Sequence, residues 1–144
     1  MSAEGEVRNA SAQFYAALNR VLDGDAESLA DIWSQSAIAS AMHPIGGCQA
    51  GWDKVRESFE KAAQLTSGGH VELRDQRLWV SGGLAYEVGV EHGQAKLAGE
   101  PVTLEQRVTN IYRSEPGTGG WKIIHHHADL STEMLSILSR VQAA

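Results

Sequence analysis

Three consecutive histidines, His125-His126-His127, are the most obvious candidates for chemistry in this 144-residue chain. An imidazole titrates near neutral pH, so it can move a proton or bind a metal. The run ends a β-rich segment that begins at Trp121, and side chains alternate between the two faces of a strand. His126 is therefore expected opposite His125 and His127. Two histidines at i and i+2 can ligate zinc with a third ligand, but the spacing supplies no acidic or cysteine partner, so no metal is predicted.

A second polar group lies on the strand predicted over Val102 to Arg113. Alternation gives Gln106, Val108, Asn110 and Tyr112 one common face, and the residues between them the other face. One of these faces must meet the helices. A side-chain amide such as Asn110 either hydrogen-bonds a ligand or, buried, satisfies backbone groups.

The strand predicted over Leu84 to Glu91 carries two carboxylates. Glu87 and Glu91 alternate with Tyr86 and Val88, so the carboxylates share the face opposite Tyr86. Carboxylates are rarely buried without partners, and we therefore predict that both lie on a solvated face. They remain reserve candidates for an acid or a base.

The elements that position these side chains are helices followed by strands. Apolar residues recur at helical spacing from Val7 to Leu22, a shorter helix follows Asp25, and a third helix is predicted from about Gly51 to Leu65. The short connections between the later segments favour an antiparallel meander, and helices covering one face of a twisted sheet leave a cone whose mouth can hold a pocket. The apolar stripe at about residues 131–141 forms a closing helix or an oligomer contact. The strands are predicted at Val71 to Val80, Leu84 to Glu91, Val102 to Arg113 and Trp121 to His127.

Two motifs carry a family resemblance. Met42-His43-Pro44-Ile45-Gly46-Gly47 precedes Gly51-Trp52 and a helix, and Arg107 to Arg113 precedes a Gly-rich turn and Gly120 to His127. Their order resembles the nuclear transport factor 2-like superfamily, and within it the SnoaL-like, ketosteroid-isomerase-like proteins, over about residues 7 to 129. The resemblance implies one domain over residues 1–144, with an α+β fold in which three N-terminal helices pack in a cone against a curved, mainly antiparallel β-sheet. This is the cystatin-like or nuclear transport factor 2-like roll.

The resemblance assigns a role to His43. This residue precedes Pro44, where ketosteroid isomerases place an aspartate general base in a similar Asp-Pro-Val-Gly segment. It implies that His43 takes a proton from carbon next to a carbonyl, or from water. The alternative is a histidine that only hydrogen-bonds the turn before proline.

The remaining isomerase machinery is not matched. The oxyanion-binding tyrosine of those enzymes aligns with Ala17, and Tyr15 should point roughly 200° around the helix from that position. An enolate-like intermediate would therefore need another donor, for which Asn110, Tyr86 and Tyr112 are candidates.

The resemblance also orients the strands. In the calcium/calmodulin-dependent kinase II association domain a pocket arginine occupies the position of Asn110, which implies that this face looks inward. A second pocket arginine falls at Ala128, so the carboxylate-binding pair is missing here. If Ile124 and Ala128 face the pocket, so does His126, whereas His125 and the residues that share its face meet a second subunit. The outward set is Trp121, Ile123, His125 and His127. The predicted catalytic residues are His43, His126 and Asn110, and the predicted ligand-binding residues are Phe14, Trp52, Tyr86, Val88, Val108 and Tyr112.

Composition narrows the partners. Twelve Lys and Arg residues are scattered among eighteen Asp and Glu residues, giving a net charge of -6, which argues against a nucleic-acid partner. No segment has the pattern of a signal peptide or the length of a membrane helix, so we expect a cytoplasmic protein without a membrane partner. Cys48 is the single cysteine and cannot form an intrachain disulfide.

The sequence predicts a protein that binds a small molecule in a pocket. We expect a cofactor-independent lyase or isomerase that acts on a small apolar or carbonyl-bearing metabolite with His43 as base, since proton abstraction next to a carbonyl needs no cofactor. Members of the superfamily include non-catalytic proteins, so two alternatives stay open. They are a ligand-binding module without chemistry and an assembly domain that forms a homodimer through the sheet.

Overall fold

The computed structural model describes residues 2–143, which form three α-helices, six β-strands and two short 3-10 helices. The α-helices are α1 (Ala3–Leu22), α2 (Trp52–Leu65) and α3 (Thr132–Ala143). The strands are β1 (Ser40–His43), β2 (Gly46–Ala50), β3 (Thr66–Ser81), β4 (Leu84–Leu97), β5 (Glu100–Glu115) and β6 (Gly120–Ala128). The 3-10 helices are Glu27–Asp31 and Pro116–Thr118.

All six strands belong to one curved sheet, in the order β2-β1-β6-β5-β4-β3. The pair β1 and β6 is parallel, and the other neighbouring strands are antiparallel. Helix α1 packs on β3, β4 and β6 and against α2, so the helices cover one face of the sheet. The predicted α+β class with a mainly antiparallel sheet is confirmed.

Helix α1 follows the predicted apolar stripe. The Ser2 side chain caps its start by accepting a hydrogen bond from the Gly5 backbone N–H at 3.1 Å. Arg20 lies in the last turn, where a positive charge is favourable. The stripe packs toward the sheet and forms part of the core. Its buried positions are Val7, Ala10, Phe14, Ala17 and Val21.

The second predicted helix is a single 3-10 turn, Glu27–Asp31. The chain leaves the helical path because its backbone forms hydrogen bonds with β6 instead. The Ile123 backbone N–H donates to the Ile32 carbonyl at 2.9 Å, and the Ser34 N–H donates to the Ile123 carbonyl at 3.0 Å. These bonds leave Trp33 in an isolated parallel bridge beside the sheet.

The predicted Gly93 to Gly99 connection is wrong, because β4 continues to Leu97 and pairs with β5 throughout. The actual turn is Ala98-Gly99, where both residues have positive φ values of 51° and 81°. Gly93 lies inside the strand. A Cβ at that position would lie 1.8 Å from the His70 carbonyl oxygen, so only glycine lets β3 approach this closely.

A β-bulge in β6 changes which of its side chains face the helices. In β6, Tyr112 pairs with Ile123 and Ile111 pairs with His125, so Ile124 is the extra residue. The bulge reverses the alternation on its N-terminal side. Ile123, which we predicted to face outward with His125, is consequently buried in the core.

The C-terminal apolar stripe forms helix α3. Ile137 is buried, and Met134 and Leu138 pack against the core. The helix is tied to the start of β5 by an ion pair of 2.7 Å between Arg140 and Glu100. Within residues 2–143, no helix combines the length and the apolarity that a membrane crossing requires.

Candidate functional site

A cavity of about 100 Å³ lies between the helices and the inner face of the sheet. Its wall is mainly apolar, and Lys and Arg are absent from the described residues that line it. The polar lining residues are His43, Thr66, Glu91, Gln106 and His126. The apolar lining residues are Leu18, Val21, Leu22, Pro44, Ile45, Phe59, Ala62, Leu65, Val71, Ala95, Leu97, Val102, Leu104 and Met134.

His43, at the end of β1, is a buried member of this wall. Its Nε2 lies 2.8 Å from the Ser58 hydroxyl oxygen, and that hydroxyl donates its only hydrogen to the Val55 carbonyl at 2.6 Å. Ser58 can therefore only accept from the imidazole, which places the ring hydrogen on Nε2 and leaves Nδ1 unprotonated. Burial lowers the pKa of His43 to about 4, so the ring is neutral at pH 7.

His126 is held in the opposite tautomer. The Asn110 amide nitrogen donates to the Glu87 carboxylate and to the Tyr15 hydroxyl, both at 3.0 Å, which fixes the orientation of the amide. The amide oxygen of Asn110 then accepts from His126 Nδ1 at 2.7 Å, so Nε2 of His126 is the unprotonated nitrogen. Burial, together with the neighbouring His43, lowers the pKa of His126 well below its ordinary value.

The unprotonated nitrogens of both rings have no hydrogen-bond partner among the described residues. In the described part of the chain, Trp33 Nε1 is the only fully buried side-chain nitrogen or oxygen without a hydrogen-bond partner. His43 Nδ1 and His126 Nε2 make no hydrogen bond to a described residue, and because both rings line the cavity, we infer that these nitrogens contact it. The ring centroids are 6.3 Å apart, close enough for one small molecule to touch both.

Glu91, a reserve candidate for an acid or a base, is the residue whose surroundings differ most from the prediction. We predicted a solvated carboxylate, but Glu91 is 2% exposed and lines the cavity. Tyr15 donates to its Oε2 at 2.9 Å, and Gln106 donates to its Oε1 at 3.3 Å. Burial outweighs these hydrogen bonds and raises the pKa of Glu91 to about 7. A signal was present, because Gly89, Gly93 and Ala95 share its face and small residues allow close packing.

Glu87 is fully buried on the same face of β4, which also contradicts the predicted solvated position. Four side chains donate to it. Ser11, Asn110 and Tyr112 bond Oε1 at 2.9, 3.0 and 2.6 Å, and Gln76 bonds Oε2 at 2.8 Å. This donor set satisfies a buried carboxylate and makes Glu87 the centre of a network behind the cavity wall.

Tyr15 belongs to this network, although we predicted that it points away from the site. Because the sheet curls around α1, both Tyr15 and Ala17 are buried. The Tyr15 hydroxyl donates to Glu91 and accepts from Asn110. Burial raises the pKa of Tyr15 well above its ordinary value, so the hydroxyl keeps its hydrogen.

Two predicted ligand-binding residues are on the wrong side of the sheet. Tyr86 is 44% exposed and stacks on Trp79 at 4.8 Å on the outer face, and Val88 shares that face. Their assignment to the pocket was wrong because it gave the inner face of β4 to the wrong set of alternating residues. The glutamates occupy the inner face instead.

The remaining predicted ligand-binding residues and Asn110 do not line the cavity. Phe14 packs against the His126 ring at 5.2 Å, and Trp52 stacks on Trp33 at 6.4 Å away from the cavity. Val108 and Tyr112 are buried on the inner face of β5, as is Asn110. The structure thus brings two predicted catalytic residues, His43 and His126, into the wall and places the third, Asn110, directly behind it.

His125 and His127 do not reach the cavity. His127 is exposed, and His125 is half-buried with its Nδ1 2.7 Å from the Ser40 hydroxyl. Within residues 2–143, no three His, Cys, Asp or Glu side chains are grouped so that they could hold a metal ion.

Comparisons with known proteins agree with this architecture. The model of the SnoaL-like domain matches residues 7–131. A candidate dehydratase of the nuclear transport factor 2-like family from Streptomyces avermitilis is 26% identical with a TM-score of 0.77, over 90% of this chain and 97% of that one. A nuclear transport factor 2-like superfamily protein from Salmonella enterica serovar Typhimurium is 20% identical with a TM-score of 0.78, over 90% and 93%. A candidate ketosteroid isomerase from Shewanella frigidimarina is 18% identical with a TM-score of 0.68, over 89% and 95%.

No match was found among curated proteins. The family model nevertheless spans most of the chain, and the solved structures share its fold along nearly their whole length. The chain belongs to the SnoaL-like domain family, within the nuclear transport factor 2-like superfamily.

Proposed function

We propose that this protein is a cofactor-independent lyase or isomerase that transfers protons on a small, largely apolar metabolite bearing a carbonyl group. One observation carries the proposal. The neutral imidazole of His43 and the Glu91 carboxyl, whose pKa is about 7, lie on the wall of the same apolar cavity. Titratable groups with shifted pKa values in such a cavity are typical of acid and base catalysts.

His43 serves as the base in this proposal. Its low pKa keeps Nδ1 unprotonated at neutral pH, but it also makes the resting imidazole a weak base. Glu91 compensates for this weakness. When Glu91 gives up its proton, the new negative charge in the same water-poor cavity favours the protonated form of His43.

Glu91 is the proton donor. A carboxyl group with a pKa of about 7 is half protonated at neutral pH, so it can donate to a leaving hydroxyl or to a developing enolate and can be protonated again. A positioned acid or base typically contributes about 10²- to 10⁴-fold to a rate. The similarity to a candidate dehydratase, at 26% identity, supports a reaction of the lyase type.

Proton exchange at carbon tests the proposal without the natural substrate. Cyclohexanone is incubated with the protein in D₂O, and loss of its α-proton signal is followed by NMR. His43→Gln keeps a donor toward Ser58 but removes the base, and Glu91→Gln removes the acid. Each variant should slow exchange by about 10²-fold or more.

His70→Gln is the matched control, because His70 is exposed on β3. This variant should exchange at the wild-type rate, and circular dichroism verifies that all three variants are folded. Unchanged exchange in folded His43→Gln would remove His43 from its role as base. Saturable ketone binding with no exchange in the wild type would favour the ligand-binding alternative.

A specific observation also favours self-association through the sheet. Trp79, Leu84 and Tyr86 are 47%, 50% and 44% exposed on neighbouring segments of β3 and β4. Exposed apolar patches on a sheet face are typical of protein contacts. If the chain forms a homodimer through this face, the native mass of the wild type should equal two chains, and that of Tyr86→Lys should equal one. A monomeric wild type would contradict this.

A further inference from the structure

The hydrogen-bond donors and acceptors in the cavity wall limit the class of ligand that the cavity can bind. We infer that the site selects a small, uncharged alcohol whose hydroxyl hydrogen is donated to a ring nitrogen of His43 or His126. The inference deepens the proposed function and rests on it, since it concerns the same cavity. In this arrangement the alcohol is the hydroxyl-bearing side of a lyase or isomerase reaction.

Each imidazole ring donates its single N–H hydrogen to a neighbouring side chain and not toward the cavity. Ser58 accepts the Nε2 hydrogen of His43, and Asn110 accepts the Nδ1 hydrogen of His126. Glu87 enforces the second arrangement, because a carboxylate accepts only and therefore holds the Asn110 amide nitrogen toward itself. Each ring can offer a ligand nothing but a lone pair.

Thr66, the remaining neutral hydroxyl in the wall, is also an acceptor toward the cavity. Its single hydrogen is donated to backbone carbonyls, at 2.8 Å from the Val21 oxygen and 3.0 Å from the Ala62 oxygen. Gln106 gives one amide hydrogen to Glu91 and accepts the Glu105 backbone N–H with its oxygen, which leaves one hydrogen unassigned. Acceptors thus outnumber donors around the two rings.

Charge excludes other ligands. A carboxylate or phosphate would enter a wall that lacks Lys and Arg among its described residues and holds Glu91, so it would lose hydration without gaining a partner. An ammonium group would meet Glu91 but would also lose its hydration in a mostly apolar wall. A ketone fits the apolar space, but its oxygen cannot bond an imidazole lone pair, and it finds a donor only in the unassigned Gln106 hydrogen or in Glu91 while that carboxyl is protonated.

Size limits the ligand to about one ring. The cavity volume is about 100 Å³, somewhat less than the engineered cavity of about 150 Å³ that accommodates benzene. Cyclohexanol, cyclohexanone, cyclohexanecarboxylate and cyclohexylammonium are chosen as one-ring probes, because they share the ring and differ in the polar group.

Titration of the wild-type protein with each probe, followed by NMR chemical shifts, tests the inference at pH 7.5. Cyclohexanol should bind about fivefold more tightly than cyclohexanone, which corresponds to one net hydrogen bond. The two ions should show no saturable binding. A ketone that binds as tightly as the alcohol, or an ion that binds more tightly than it, overturns the inference.

Two further measurements locate the hydrogen bond. In ¹⁵N histidine spectra of the wild type, the unprotonated nitrogen of His43 or His126 should shift when cyclohexanol is added and not when cyclohexanone is added. His43→Phe with His126→Phe should abolish the preference for the alcohol, whereas His70→Phe should keep it. If the variants do not fold, the ¹⁵N spectra decide, and unshifted ring nitrogens overturn the inference.

The outcomes separate this inference from the proposed function. Exchange of cyclohexanone protons without any preference for the alcohol overturns the ligand class and leaves the proton-transfer reaction. Preference for the alcohol without exchange supports the ligand class and removes the reaction.

Discussion

Glu91→Gln is predicted to change the pH dependence of stability in a defined direction. Burial raises the pKa of Glu91 from its ordinary 4.5 to about 7. Between these values the folded state keeps a proton that the unfolded state has lost, so stability falls as pH rises through this window. Below about pH 4.5 the carboxyl is protonated in both states, and above about pH 7 the full cost of the buried charge is present.

The magnitude follows from the same two values. Each pH unit within the window is worth about 1.4 kcal/mol, so ionisation of Glu91 costs the folded state about 3 kcal/mol in total. Glutamine resembles the protonated carboxyl and does not titrate. The variant should therefore gain about 3 kcal/mol relative to the wild type between pH 4.5 and 7.5.

The pH dependence of the wild type alone does not isolate Glu91, because His43 also titrates differently in the folded and unfolded states. Its pKa is lowered from 6.5 to about 4, so its contribution to stability is present above pH 6.5 and is lost as pH falls through 4. This trend is opposite to that of Glu91, and the two partly cancel in the wild-type curve. Below about pH 6.5 Glu91 is mostly protonated and, like glutamine, uncharged, so the His43 contribution is nearly the same in both proteins and cancels in their difference.

Urea unfolding at half-unit steps from pH 4.5 to 8 measures this difference, with equal slopes verifying that both proteins unfold alike. Glu57→Gln is the matched control, because Glu57 is exposed on α2 and should differ from the wild type by about 0.5 kcal/mol or less at every pH. A difference for Glu91→Gln that does not change with pH would show that the carboxyl is ionised throughout. The proposed acid would then lose its basis.

Three further predictions concern the rate profile, the buried network and the strand packing. The rate of cyclohexanone exchange should fall below about pH 4, where His43 becomes protonated, and above about pH 7, where Glu91 loses its proton, as a pH series would show. Glu87→Ala should lower the free energy of unfolding by about 4 kcal/mol in urea, because four donors lose their acceptor, whereas Glu87→Gln should cost less. Gly93→Ala should cost about 3 kcal/mol or more, since its Cβ would lie 1.8 Å from a backbone oxygen of β3, whereas Gly83→Ala, with nothing within 4 Å, should be neutral by thermal unfolding.

The helical elements and the sheet class could be predicted because they follow local rules. The stripe of α1 repeats every three or four residues, and α2 lies close to the range predicted from about Gly51 to Leu65. The turn at Gly82-Gly83 was likewise visible as a short glycine connection. Periodicity of this kind is a property of neighbouring residues, and it failed only for the second predicted helix, where backbone hydrogen bonds to β6 leave a 3-10 turn.

Which side chains face the helices was harder to predict from the sequence. The β-bulges interrupt the alternation of side chains, and no local sequence signal marks their positions. Asp75, at a φ of 57°, lies in the β3 bulge between Arg74 and Arg77, which lets Gln76 donate to Glu87. The β6 bulge at Ile124 has a comparable effect. A regular strand would place Ile123 and His126 on opposite faces, yet both are buried on the inner side.

The two buried carboxylates show why residue type and spacing were not enough to identify the site. Glu87 and Glu91 lie on the same face of one strand, and sequence alone treats them alike. Their surroundings differ in the supply of hydrogen-bond donors. Glu87 receives four, from two strands and a helix, whereas Glu91 receives two and borders an apolar cavity. Burial with few donors raises the pKa of Glu91, which is why we propose Glu91 rather than its neighbour as the acid.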